Sequence, residues 1–160
     1  MQTILISQAA FKPVTGETVQ LLHNGSTHWL CSAYIGGKVM VADSLNLVLT
    51  SQVTKQLREL FKGQIQPDGY LPVERLICDQ QDNASDCGVF AIAFAFELAD
   101  GRSLNGVTFT RRRIGEHLVT AFESKKLLHF PVSQHKKRKL QIDNEVLKLY
   151  TTHDVYVTHI

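Results

Sequence analysis

Cysteine is scarce in this 160-residue chain: Cys31, Cys78 and Cys87 are the only three. An odd number at wide spacing does not make a disulfide framework and points to a reducing, intracellular compartment. No Cys-x-x-Cys pair and no His/Cys cluster at metal-ligand spacing occurs, so neither a structural zinc site nor any cofactor is expected. Long apolar runs are missing too. None reaches the roughly 18–20 residues needed to span a bilayer, so no membrane role is expected. Met1–Ala10 lacks a positively charged start ahead of an apolar core, which argues against a secretory signal. Charge of one sign is also lacking. Lys and Arg number 17 against 15 Asp and Glu, and the net charge of +2 is too small to imply nucleic-acid binding by itself. Tryptophan occurs once, as Trp29.

What remains is the composition of one ordinary folded domain, 44% hydrophobic and 20% charged, without internal repeats. Glu17–His23 reads as a short strand, and Asn24-Gly25-Ser26 as a turn. His28–Ile35 and Lys38–Ala42 are β-rich runs on either side of Gly36-Gly37, the pattern of a hairpin. Ser51–Lys62 places Val53, Leu57, Leu60 and Phe61 at helical spacing, with Ser51 as a cap. Leu76–Gln80 suggests a further strand. In Val89–Leu98 the phenylalanines alternate as in a strand, but their partners are mostly alanine, which favours helix. Capping residue types upstream and Gly101 downstream predict a buried helix over about Asp86–Asp100. A second, amphipathic helix is predicted over Thr110–Glu123, with Ile114, Leu118 and Phe122 on its apolar face. Pro131 closes the region, and the charged run Ser133–Leu140 and a weakly patterned tail follow it. The expected division is one folded domain over 1–132 and a basic linker and tail over 133–160.

Cys87 stands where a polar, turn-forming cluster meets a greasy run. A thiol at the start of a helix faces unsatisfied N–H groups and the positive end of the dipole, a setting that favours thiolate. The plainer alternative is a small buried apolar residue. Among seven histidines, His28 differs because it begins a strand and precedes Trp29. The paired strand ends at Asp43-Ser44, and the outer ends of a hairpin lie side by side. His28 and Asp43 are therefore expected as neighbours, an arrangement in which a carboxylate orients an imidazole. Taken singly, His28 reads better as a half-exposed strand residue and Asp43 as a turn or cap residue; together with Cys87 they make a coincidence less easily dismissed. Acyl chemistry also needs oxyanion donors, for which the Cys87 N–H and the amide of Gln80 or Gln81 are candidates.

These residues resemble the Ulp-type cysteine proteases, which include the sentrin-specific (SUMO) proteases, with the adenoviral protease as a distant relative. The resemblance rests on His28-Trp29, on Asp43-Ser44, and on Gln81-Asp82-Asn83-Ala84-Ser85-Asp86-Cys87-Gly88. It covers about Val19 to Pro131. It implies an α+β, papain-like fold in which a mixed β-sheet packs on the cysteine-bearing helix. It implies hydrolysis of peptide or isopeptide bonds, commonly after Gly-Gly of a ubiquitin-like modifier, with that modifier or its conjugate as partner. Carried over, Cys87 is the nucleophile, His28 the general base and acid, and Asp43 the group that orients it. Gln81 and the Cys87 N–H hold the oxyanion, and Trp29 beside Gly88 lines a narrow slot for the substrate tail. An aromatic slot of that kind admits glycine and excludes a Cβ. The family's N-terminal segment, with a Trp-Leu-x-Asp-type element, has no counterpart here. The flavour of the segment around Cys87 also suits domains associated with mobile elements or multi-domain proteins.

The alternative is a catalytically weak or inactive module of the same fold that binds a modifier or another protein partner. Nucleic-acid binding through the basic stretches ranks third. Lys136, Lys137, Arg138 and Lys139 form a basic run that reads as a nuclear import signal or a solvated linker, and the expected location is nuclear or cytoplasmic. Arg111–Arg113 at a helix start reads as an exposed face or an acidic-surface contact. Cys31 and Cys78 read as inert core thiols.

Overall fold

Period-two alternation in the β2 strand, Trp29–Ile35, sends its side chains into two different cores. Leu30 belongs to one cluster, while Cys31 and Ala33 belong to the other. A computed structural model describes residues 11–126 and 128–133, together with the backbone of 146–149. The strand β1 (Thr18–His23) pairs antiparallel with β2, and β2 pairs antiparallel with β3 (Lys38–Ala42) in the register Cys31 to Ala42. Gly36 and Gly37, both at positive φ, make the turn between them, a conformation that glycine adopts without steric cost. β3 is followed by α1 (Ser51–Leu60) and then β4 (Leu71–Arg75), which pairs parallel to β3. The described chain continues with α2 (Cys87–Ala99), β5 (Thr108–Phe109), α3 (Arg111–Ser124) and β6 (Val132–Ser133), which pairs with β5. β7 (Val146–Leu149) adds antiparallel to β4, giving the mixed order β1-β2-β3-β4-β7.

The helices take opposite faces of this sheet. Val53, Leu57 and Leu60 of α1 pack with Leu22, Leu30, Val39, Val41, Leu71 and Val73. On the other face, Phe90, Ala93, Phe94 and Leu98 of α2 meet Cys31, Ala33 and Ala42. These small strand residues let α2 come close to the sheet. Phe109 closes that layer, its ring centroid 6.0 Å from that of Phe94 and 6.2 Å from those of Phe90 and Phe130. The fold is therefore α+β, with a mixed sheet packed on the helix that begins with Cys87.

Three expectations change. Leu76–Gln80 is not a strand. The strand lies just before it, disguised by Pro72, which lacks a ladder donor. After Leu76 donates to the Val41 carbonyl, the segment turns and spends its hydrogen bonds on the Asp43-Ser44 corner. The α1 cap is Thr50, not Ser51, since the Thr50 hydroxyl accepts from the Val53 N–H at 3.3 Å. Phe122 is 75% exposed, and the buried face of α3 is Ile114, Leu118 and Ala121 instead. The basic run Lys136–Lys139 lies outside the described residues. Among the described residues, no helix is long and apolar enough to cross a membrane.

Candidate active site

His28 reaches the site because the β1–β2 connection is tied to a single side chain. The Asn24 carboxamide oxygen accepts from the N–H groups of Ser26, Thr27 and His28 at 2.9–3.1 Å, and the Asn24 N–H donates to the His28 carbonyl. His28 thus precedes β2 by one residue and is buried. Asp43 follows β3 directly. Its carboxylate accepts from the Leu45 and Leu47 N–H groups at 2.9 and 3.0 Å. The chain turns back there through Asn46 at φ 49°, a left-handed conformation. Arg75 holds this loop from the side, donating to the Asn46 side chain and the Leu47 carbonyl, both at 2.9 Å.

The two anchored residues meet. His28 Nε2 lies 2.6 Å from Asp43 Oδ1, and both side chains are out of solvent. The contact assigns the Nε2 proton to the Asp43 side, which leaves Nδ1 free to act as a base. Nδ1 is buried and makes no hydrogen bond.

Cys87 is the first residue of α2, preceded by Asp86 at the cap position. An Asx-type turn launches the helix: Asn83 Oδ1 accepts from the Ser85 and Asp86 N–H groups, both at 3.0 Å, and Asn83 Nδ2 donates to Asp86. Cys87 Sγ lies 3.7 Å from the carbonyl of Thr27, the residue immediately before His28. Strand end, loop and helix start therefore converge on one spot. The Gln81 N–H donates to the Ser44 carbonyl at 2.9 Å, so Gln81 joins the same corner, whereas Gln80 turns its amide to the carbonyls of Asp43 and Cys78. Trp29 is half-buried on the α2 face, with its ring against His23. A Cβ on Gly88 would stand 3.7 Å from the Trp29 ring, so the indole lies beside the start of α2. Arg111 of α3 pairs with Asp82 and donates to the Gln80 carbonyl at 2.6 Å, bracing the turn ahead of Cys87 from outside.

No family model and no curated protein matches the chain. Solved structures do. The SUMO protease Ulp1 with its catalytic cysteine oxidised to a sulfenic acid matches at a TM-score of 0.52 and 18% identity, over 70% of this chain and 54% of that one. The fold is the papain-like fold of that protease. The C-terminal Ulp1 protease domain in complex with SMT3, the yeast ortholog of SUMO, gives a TM-score of 0.42 and 20% identity, over 56% of this chain and 43% of that one. The chain spans about half the length of the Ulp1 domains it matches.

Cys87 is itself buried, as is Cys31, whereas Cys78 is half-buried. Cys31 is fully buried in β2, and burial pushes its pKa far up, with Cys78 adding to the effect. Cys78 is pushed up to about 12, chiefly by burial, with the nearby Asp43 and Asp79 carboxylates adding to it. All three cysteines are free. Among the described residues no group of three or more His, Cys, Asp and Glu is placed to hold a metal ion.

Sequence reasoning found the residues of this corner but not its supports. Ser44 was legible only as the neighbour of Asp43, and Asn24 only as a turn former. The Asn24-Gly25-Ser26 signal carried the turn, but not the fact that one carboxamide holds the His28 N–H.

Proposed function

We propose that this chain is a Ulp-type cysteine peptidase that hydrolyses peptide or isopeptide bonds after the C-terminal Gly of a ubiquitin-like modifier. One observation supports it above the others: a buried histidine engages a carboxylate through one nitrogen, keeps the other unspent, and lies next in sequence to the carbonyl that touches a helix-starting cysteine.

In this reading His28 Nδ1 takes the Cys87 proton, and Asp43 holds the imidazole in the required tautomer and steadies its charge. The sulfur attacks the glycyl carbonyl, and the carbonyl π pair moves to oxygen. The Cys87 N–H and the Gln81 amide stabilise that oxyanion. The tetrahedral adduct collapses, the C–N bond breaks, and His28 gives its proton to the leaving amine. Water, deprotonated by His28, then attacks the thioester and releases the carboxylate and the thiol. Trp29 against Gly88 forms the wall past which a side-chain-free tail runs. A modifier or its conjugate is the partner, and the nucleus or cytoplasm, where free thiols persist, is the place of work.

The test is a panel of ubiquitin-like modifiers, SUMO among them, carrying a C-terminal propargylamide or vinyl sulfone. The expected result is an adduct on Cys87 with at least one. Absence of an adduct with every modifier, from protein that is folded by circular dichroism, overturns the reading.

A further inference from the structure

The Asp43-Ser44 corner carries a second contact, separate from the His28–Asp43 pair. The Ser44 side chain is buried, and its hydroxyl donates to Gln81 Oε1 at 2.5 Å. On the other side of the same carboxamide, Gln81 Nε2 donates to the Asn83 carbonyl at 2.6 Å. Together these contacts leave only one amide orientation. Turning the group over would set its oxygen against the Asn83 carbonyl oxygen, two acceptors with no proton between them. A carboxamide nitrogen carries two protons. Asn83 takes one, and among the described residues the second has no protein acceptor. Asn83 is also the residue whose side chain builds the turn that launches Cys87. A continuous hydrogen-bonded chain therefore runs from Ser44 through Gln81 and Asn83 to the start of α2.

We propose that Ser44 is a positioning residue for acyl chemistry at Cys87, acting through Gln81. It locks the amide so that one N–H is held ready for a developing oxyanion. This rests on the cysteine-peptidase reading above and adds to it how the oxyanion donor is held. A donor fixed before the reaction needs no reorganisation as charge develops, which is where such groups gain their effect. Without the Ser44 hydroxyl, Gln81 Oε1 loses its donor and the amide is free to rotate.

The experiment uses a small carbonyl electrophile, so that no modifier has to be identified. The peptide aldehyde acetyl-Gly-Gly-glycinal, enriched in carbon-13 at the aldehyde, is titrated into the full chain, and the thiohemiacetal is read by NMR. In that step an S–C bond forms, the π pair moves to oxygen, and the thiol proton passes to that oxygen by way of His28. Alkylation by iodoacetamide, which displaces iodide and forms no oxyanion, is measured in parallel. For Ser44→Ala the thiohemiacetal should weaken roughly 10- to 100-fold, while the alkylation rate stays within about twofold. In a Gln81→Ala background the Ser44→Ala effect should vanish, because a residue that acts through another has nothing left to act on. If Ser44→Ala does not fold, Ser44→Cys keeps the volume with a weaker donor and should show an intermediate loss.

Unchanged aldehyde affinity, an equal fall in alkylation, or a full Ser44→Ala effect in the Gln81→Ala background overturns the proposal. Wild-type protein that is alkylated at Cys87 yet captures no aldehyde overturns this proposal and the peptidase reading together. Aldehyde capture without any modifier-probe adduct overturns only the modifier-specific reading.

Discussion

Cys87 Sγ stands 3.7 Å from the Thr27 carbonyl, although 60 residues separate the two. That contact joins the start of α2 to the residue before His28, and so brings the Cys87 and His28 segments together.

Asp43 accepts from His28 and from two loop N–H groups at once. Asp43→Asn puts an amide in that place, with one side bearing donors that face donors. Turnover of a conjugate of whichever modifier labels Cys87 should fall by about 10²- to 10⁴-fold, and urea unfolding should show a loss of about 1–3 kcal/mol from unpaired buried groups. Full activity in Asp43→Asn would remove the acid from the mechanism.

Thiol labelling should be selective. With a pKa near 12, fewer than about one Cys78 side chain in ten thousand is thiolate at pH 7.5, and Cys31 is shifted in the same direction. Iodoacetamide should therefore give one adduct in the native protein, lost in Cys87→Ser, and three after unfolding. Mass spectrometry reads this directly.

The Cys78 shift also sets a pH dependence. Its folded pKa is raised, so the neutral thiol favours the folded state fully below the ordinary value of 9.0, and that contribution is lost as pH rises toward about 12. Across that range the unfolded chain ionises Cys78 and the folded chain does not. The difference in Tm between wild type and Cys78→Ala should thus shift against wild type between pH 8 and pH 10.5. A constant difference would contradict the buried setting.

Gly88 lies inside the first turn of α2, where a Cβ makes only ordinary contact with Trp29. Gly88→Ala should leave the fold intact and raise stability by roughly 0.5–1 kcal/mol, since alanine loses less backbone entropy in a helix. If the Trp29–Gly88 contact is the wall of the substrate slot, the same variant should lower turnover. Stability and activity then move in opposite directions. Equal or higher activity would put the slot elsewhere.

Phe122 and Phe94 make a paired control. Phe94 is buried under the sheet and Phe122 is 75% exposed. Phe94→Ala should cost about 3–5 kcal/mol, and Phe122→Ser less than about 0.5 kcal/mol, by urea unfolding.

Local features were legible wherever short-range rules decide structure. The hairpin of β2 and β3 followed from two β-rich runs about a Gly-Gly pair, and α2 followed from alanine content and capping residues. The neighbourhood of His28 and Asp43 followed from the geometry of hairpin ends. Phe122 was misplaced because helical spacing names an apolar stripe but not its width, and Ala121 is small enough to be the buried residue instead. β4 was missed because Pro72 argues against a strand, and pairing on both sides overrides that local preference.

By itself, then, the sequence determined which residue types stand at strand ends and helix starts, because turns, caps and hydrophobic periods act over a few residues. Only the tertiary structure decided that the α2 start meets the carbonyl before His28, that Arg75 and Arg111 brace the surrounding loops, and that Ser44 holds the Gln81 amide. Those contacts span tens of residues, and no local rule encodes them. They exist because burying both faces of one sheet leaves these chain segments a single way to meet.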